Sequence, residues 1–341
     1  MRLSNVKLLV TCLFAIGLGA YAQTFGVPRI GAIEYYGVHK LSTQRISKPL
    51  GLQPGDALPP SKADLEDRLE KIPGVVQARV EAVCCETDGN AILFVGIEEK
   101  GAPHFAFRSP PTGAATLSQD IIDTYTKLMA AIDAAGRRGS TAEDLTQGHP
   151  LMADPDAREL QLSLTPWAGA HLDLLRSVLR DSAQDDQRAM AATIIGYAPD
   201  KSKVLPDLEF AMQDPDESVR ANAMRAVGAI AVLATREPER HIHVSSTWFV
   251  EMLNSIVLSD RLKAAAALVN LTEKDGQSTL DQIRDRAAGS VVEMAQWRNL
   301  RYALPSFILV GRMAGLSEEV IQANWTKGTR SDVVMRFASK R

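Results

Sequence analysis

Hydrophobic and polar residues alternate along residues 75–84, and this two-residue period predicts a β-strand. Leu93, Val95 and Ile97 share one face of a further predicted strand, which follows a turn at Asp88-Gly89. An earlier run over residues 30–36, rich in isoleucine and tyrosine, predicts a first strand. Three short strands are therefore expected before residue 101.

Two helices are predicted between the first and second strands. Ser42 is placed to cap a helix that stops at Gly51, and Ser61 is placed to cap a helix that stops at Pro73-Gly74. The resulting order is β-α-α-β-β. With one sheet face covered by the two helices, it predicts a small α+β domain over residues 29–101.

Four stretches of this segment resemble a polypeptide-transport-associated (POTRA) domain of the FtsQ type. They are Ile33-Glu34-Tyr35-Tyr36-Gly37, residues 50–58, residues 69–75 and residues 93–99. The resemblance implies a periplasmic module that binds polypeptides, often by adding a strand to the exposed edge of its sheet. In the family that edge is the second strand, so the implied binding positions are Val75, Gln77, Arg79, Glu81 and Val83.

Residues 102–169 are predicted to be a linker that carries amphipathic helices. Prolines and glycines dominate residues 101–116, and an apolar stripe between Ile121 and Ile132 then predicts a helix that packs against the next domain. Residues 139–154 are polar and are interpreted as a solvated connection. We expect proteases to cut first in residues 101–116 or 139–154.

An internal repeat begins near residue 170. The segment from Leu179-Arg180-Asp181 through Arg188 to Gly196 can be laid over that from Met212-Gln213-Asp214 through Arg220 to Gly228, with the second halves about 32 residues apart. Leu258-Ser259-Asp260 is interpreted as the start of a weaker third copy. Two helical segments separated by an aspartate-rich turn are typical of a stacked helical solenoid.

The string from Asp214 to Arg220 resembles a HEAT repeat, a family whose members bind polypeptides. The resemblance implies an all-α HEAT-like solenoid over residues 170–325, closed by a C-terminal capping helix and followed by a tail at 326–341. Arg188 and Arg220 are predicted to be structural, each bridging to an acidic residue of a neighbouring turn such as Asp181 or Asp214.

The first 22 residues have the pattern of a secretory signal peptide. Arg2 and Lys7 precede a short apolar run, and Ala20 and Ala22 frame a cleavage site before Gln23. Export to the periplasm is therefore expected. The alternative is an uncleaved membrane anchor, although the run is short for a bilayer about 30 Å thick.

Composition narrows the possible partners. The chain has 341 residues, 45% of them hydrophobic, and a net charge of −3 that gives no basic footprint for nucleic acid. Only Cys84 and Cys85 remain after signal removal, too few for a disulfide scaffold. The sequence leaves three states of this pair open: two free thiols, a disulfide between the two neighbours, or a disulfide to a partner protein.

No catalytic motif or cofactor-binding fingerprint is recognised in the sequence. His241 and His243 could ligate a metal together, but no third ligand is spaced near them, so no metal or cofactor is expected. We therefore predict a non-enzymatic periplasmic adaptor in cell-envelope assembly that binds other envelope proteins. The alternatives are a membrane-anchored division-complex component, or an enzyme of unknown class that uses the loop Thr146-Gln147-Gly148-His149.

Overall fold

The computed structural model describes residues 28–83, 89–274 and 276–339. The predicted signal peptide at 1–22 and the pair Cys84 and Cys85 lie outside the described residues. The N-terminal elements are β1 (Ile30–Tyr36), α1 (Thr43–Leu50), α2 (Ala63–Glu70), β2 (Val75–Val83) and β3 (Ala91–Glu99).

The helical part begins with α3 and α4, which flank a two-stranded ribbon, and continues to the C-terminus. Its elements are α3 (Gln119–Arg137), β4 (Glu143–Asp144), β5 (Leu151–Met152), α4 (Pro155–Ala170), α5 (Leu172–Asp181), α6 (Asp185–Ile195), α7 (Lys201–Ala211), α8 (Glu217–Arg236), α9 (Thr247–Met252), α10 (Leu258–Leu271), α11 (Gln277–Arg286), α12 (Ala288–Ala295), α13 (Leu300–Met313), α14 (Glu318–Lys327) and α15 (Arg330–Ala338). No helix among the described residues is long and apolar enough to cross a membrane.

The N-terminal part is a mixed three-stranded sheet with β3 in the middle. β1 pairs with β3 in parallel, and β2 pairs with β3 in the antiparallel sense, so the strand order is β1-β3-β2. Helices α1 and α2 cover one face, where Ile46, Leu50 and Leu69 are buried against the sheet. The chain thus follows the β-α-α-β-β order that its pattern predicts.

The second face of the sheet is buried as well, so the prediction of one covered face is wrong. Tyr36 and Phe94 project from this face, and both rings meet the edge of Trp297, with centroid distances of 5.9 and 5.1 Å. The sequence of the middle strand, β3, already indicated that both faces of the sheet are covered. Residues 91–97 form a nearly continuous apolar run, which is typical of a strand covered on both sides.

Polar contacts fix the sheet against the helices. The Tyr36 hydroxyl donates to the carbonyl of Ile256 at 2.7 Å, and the amide of Gly37 donates to the carboxylate of Glu293 at 3.0 Å. Gly37 has φ of 73°, and a Cβ there would lie 2.3 Å from the carbonyl oxygen of Ile97. A glycine is required here because a side chain would clash with the backbone of the neighbouring strand β3 and would be strained at this positive φ.

Residues 102–118, called the strap here, contain no helix or strand but are not a free linker. The strap runs along the turns of the helical repeats. The backbone amide of Arg108 donates to the carbonyl of Gln213 at 3.0 Å, and its guanidinium lies 3.2 Å from the ring centroid of Phe210. Farther along, Gly113 pairs with Ser182 in a β-bridge. These contacts make residues 101–116 a poorer protease site than their composition suggests.

The helices stack in pairs, as the repeat pattern predicts. Helices α5 and α6, α7 and α8, and α9 and α10 form successive pairs, and α11 to α13 extend the stack. Helix α14 lies where the capping helix is expected. The predicted tail at 326–341 is not a simple tail, because α15 buries Val333 and Phe337 in the main core.

A prediction concerns Glu99, which is 3% exposed and accepts from the backbone amides of His39, Lys40 and Leu41 at 2.7 to 2.9 Å. Burial alone would raise the pKa of Glu99, but these amides outweigh it and hold the pKa below its usual range. We expect Glu99→Gln to destabilise the fold by about 1.5–3 kcal/mol, measured by chemical denaturation at neutral pH.

The sign of the pH dependence follows from the lowered pKa. The contribution of Glu99 is present above its unfolded pKa and is lost as pH falls through its folded pKa. The difference between wild type and Glu99→Gln should therefore shrink in acid. Glu98→Gln is the control, because Glu98 pairs with the exposed His104. A difference that stays constant down to acid pH would contradict this assignment.

Candidate functional site

Three buried arginines connect successive helical repeats, and we call them the arginine ladder. Arg188 donates through Nε and Nη2 to the two carboxylate oxygens of Asp214, each at 2.9 Å. Arg220 binds Asp260 in the same way at 2.9 to 3.1 Å. Arg261 reaches Glu293 at 3.2 Å. Arg188, Arg220 and Arg261 are all at most 3% exposed.

Each ladder arginine also holds the turn that precedes its own helix. Arg188, Arg220 and Arg261 donate to the carbonyls of Ser182, Asp214 and Ser255, each six residues earlier. One planar guanidinium thus binds both a carbonyl group of the tight turn before its own helix and a carboxylate of the next repeat. The ladder is therefore a structural device within the stack.

The ladder corrects two predicted details. Asp181 is exposed, and the acidic partners are Asp214 for Arg188 and Asp260 for Arg220. Asp260 does not occupy the turn position of Asp214, because it lies in the first turn of α10. The third copy aligns through Arg261 and Ser255 instead. The sequence does carry this third copy, because Arg261 follows a turn residue by six positions as Arg188 and Arg220 do. The repeat alignment missed it because the segment between the second and third arginines is longer than the segment between the first and second.

The predicted edge strand β2 does lie at an edge of the sheet, but its outward backbone groups are occupied. The amide of Ala78 donates to Glu70 at 3.1 Å, and the amide of Val80 donates to Glu66 at 2.8 Å. Arg79 donates from its guanidinium to the carbonyl of Ala78 at 3.0 Å. Amides alternate in direction along a strand, so those of Gln77 and Arg79 point toward β3.

A cleft separates β2 from the repeat turns, and two predicted binding residues face it. Its empty volume is about 1290 Å³, including open solvent. Gln77 and Arg79 line it on the sheet side, and residues 215–217 and 254–257 line it on the repeat side. Strap residues 103–107 complete the wall. Among the other predicted positions, Glu81 is exposed and Val83 packs against the helical core.

A second opening lies between α3 and the inner surface of the repeats. It has an empty volume of about 760 Å³, including open solvent. Tyr125, Met129 and Ile132 supply an apolar side, and Arg225 and Lys263 supply basic groups. Because Arg225 pairs with Glu143, part of this basic charge is already neutralised.

The loop 146–149, the basis of the enzyme alternative, packs on a residue that sequence reasoning missed. His149 is buried, and its Nδ1 lies 3.1 Å from the Nζ atom of Lys201. The two residues are 52 positions apart in the sequence, so no local motif could have predicted their contact. Neither an adjacent hydroxyl nor a thiol nucleophile accompanies the pair in the described hydrogen bonds.

The histidine pair considered for metal binding lies between α8 and α9. His241 follows a short turn of 3₁₀ helix at Pro238–Arg240 and has φ of 51°. Within residues 28–83, 89–274 and 276–339, no group of three or more metal-ligating side chains comes together.

Comparison with known families supports the helical repeats. Residues 172–243 match the family of HEAT repeats, and this span includes Arg188 and Arg220. No curated protein and no solved structure shows significant similarity to the chain. HEAT repeats are commonly protein-interaction scaffolds. The POTRA resemblance of residues 29–101 stays a prediction.

The ladder predicts that two arginines of α8 differ strongly in how much they contribute to the stability of the fold. Arg220→Ala leaves Asp260 buried without its partner and is expected to cost about 3–5 kcal/mol. Arg225→Ala removes an exposed pair with Glu143 and is expected to cost at most about 1 kcal/mol. Urea denaturation of both variants measures the contrast. Equal losses of stability would show that Arg220 has no special structural role.

Proposed function

We propose that this protein is an exported, non-enzymatic scaffold of the cell envelope that binds polypeptide segments of other envelope proteins in the cleft between β2 and the repeat turns. The HEAT repeats support the scaffold part of the proposal. The observation that carries the site is the position of Gln77 and Arg79, which face the repeat turns across an open cleft.

The cleft suits an extended, polar segment. Its walls present Arg79 on the sheet side and Glu217 on the repeat side, so both signs of charge are available to a partner. Glu98 and His104 pair with each other, and the Asp216 carboxylate accepts from the first amides of α8. Backbone carbonyls and amides of the turns add further hydrogen-bonding groups. The two walls belong to parts of the chain that pack on each other, so a segment would meet a preformed site with little ordering cost to the protein.

Binding in the cleft differs from simple strand addition to β2. A peptide strand would have to displace the carboxylates of Glu66 and Glu70 from the amides of Val80 and Ala78. Side-chain contacts with Gln77 and Arg79 require no such displacement. The proposal therefore assigns recognition to the side chains of β2 and to the repeat turns.

Site-specific photo-crosslinking in cells tests the cleft. A photoreactive residue at Gln77 is expected to yield discrete adducts with another polypeptide, because Gln77 lines the cleft. Gln44 is the matched control, since it is an exposed glutamine on α1. Mutation of the exposed Glu217 to Ala in the opposite wall should reduce the Gln77 adducts. Identical adducts at Gln44 and Gln77, or none at Gln77, would refute the cleft as the binding site.

Export is supported by the charged and apolar pattern of residues 1–22, and the expected mature N-terminus is Gln23. Intact mass spectrometry of the protein recovered from the periplasm measures this. A mass that retains residues 1–22, together with recovery in the inner-membrane fraction, would favour the membrane-anchored division-complex component instead.

A further inference from the structure

Lys201 is buried beneath the loop 146–149 without an acidic partner. It is 4% exposed, and its Nζ atom donates to the carbonyl of Gly196 at 2.7 Å and to Nδ1 of His149 at 3.1 Å. Both acceptors are uncharged. No salt bridge joins Lys201 to a carboxylate of the described residues, although buried lysines are ordinarily paired.

Two buried donors in this cluster lack acceptors. A lysine ammonium has three N–H groups, and Gly196 and His149 account for two of them. Because Nδ1 of His149 accepts from Lys201, the ring proton is on Nε2. That atom is buried and makes no hydrogen bond of normal geometry within the described residues, although the backbone of Gln147 lies close enough to the ring to raise the pKa of His149 slightly against the larger effect of burial; His149 is 6% exposed. Buried donors without acceptors carry a free-energy cost that an added acceptor would remove.

An opening lies directly against these side chains. Its empty volume is about 970 Å³, including open solvent, and His149 and Lys201 form part of its lining. Arg236 and Arg240, from the end of α8 and the turn after it, add positive charge. Glu237 is the one carboxylate among the lining residues, and its ion pair with Arg240 leaves Lys201 and Arg236 to give the lining a net positive charge.

We propose that this cavity binds a small oxyanion, a carboxylate or a phosphate or sulfate group, with Lys201 and His149 at its base. One oxygen accepts the third N–H of Lys201 and supplies the missing counter-charge. A second oxygen accepts from Nε2 of His149. Arg236 and Arg240 attract the anion to the opening. The site is independent of the cleft proposed for polypeptides.

The protonation of Lys201 couples to anion binding. Burial lowers the pKa of Lys201 to about 7. Burial, and then the charge of Lys201, lower the pKa of His149 to about 4, so His149 is neutral in the same range. An anion stabilises the ammonium form of Lys201. Affinity is therefore highest below about pH 7 and falls as pH rises through that value.

Four other charged groups lie near the site. They are Asp144, whose charge acts on His149, together with Arg236, Glu237 and Arg240 of the lining. The lining thus carries three basic side chains, Lys201, Arg236 and Arg240, and one carboxylate.

Calorimetric titration of the full chain with sodium sulfate, at constant ionic strength, tests the site. Sulfate keeps its charge at neutral and alkaline pH, so its own titration does not interfere. We expect saturable binding to one site and an affinity that falls about tenfold or more from about pH 6.5 to about pH 8.5. Acetate titrated in parallel distinguishes a preference for carboxylates from one for sulfate and phosphate.

Lys201→Met should abolish sulfate binding, and Lys203→Met should leave it unchanged. Lys203 is the matched control, because it lies on the same helix and pairs with Asp200. If Lys201→Met fails to fold, Arg240→Gln replaces it and should weaken binding several-fold. Absence of saturable binding, equal binding by Lys201→Met, unchanged binding by Arg240→Gln, or an affinity independent of pH would each overturn the proposal.

Discussion

The desolvation of three arginines is the constraint on which the helical part of the molecule depends. A guanidinium can be buried only if its charge and its N–H groups are satisfied, and each ladder arginine meets this requirement with an acidic residue of the next repeat and a carbonyl of its own turn. One side chain therefore fixes both the turn geometry and the spacing between repeats. The solenoid has little freedom to change either.

The surface formed by the repeat turns also binds the strap and the N-terminal sheet. The strap lies along the repeat turns, where the ring of Phe107 packs 4.0 Å from the guanidinium of Arg220. Tyr36 of the sheet packs against Arg261 at 4.8 Å. Aromatic rings thus pack on two of the three ladder arginines, Arg220 and Arg261. The cleft exists because the sheet meets the turns at one end and leaves a gap beside β2.

Lys201 stands apart from the ladder arginines because its environment supplies acceptors without a counter-charge. Arg188 and Lys201 are similarly buried, at 2% and 4% exposure, yet only Arg188 has a carboxylate. A lysine can respond by losing its proton, whereas an arginine cannot at physiological pH. The environment of Lys201 therefore changes with pH and with ligands.

The sequence by itself determined the local elements. Alternation defined β2, and the shared face of Leu93, Val95 and Ile97 defined β3. Gly51 marked the end of α1, although the Ser42 side chain makes no capping hydrogen bond at its start. The Asp214-to-Arg220 string identified the repeats. These features depend on neighbours within a turn or a strand. The sequence also marked Arg188 and Arg220 as structural, because arginine recurred at the same position in two copies.

Only the tertiary structure decided how these pieces meet. Three contacts join residues 40 or more positions apart, and no local period encodes them. They are the coverage of the second face of the sheet, the packing of the strap on the repeat turns and the pairing of Arg220 with Asp260. The occupied edge of β2 arises from Glu66 and Glu70 on a separate helix. The contact between His149 and Lys201 likewise forms only when α7 packs beneath the loop, because burial and pairing are properties of the assembled chain.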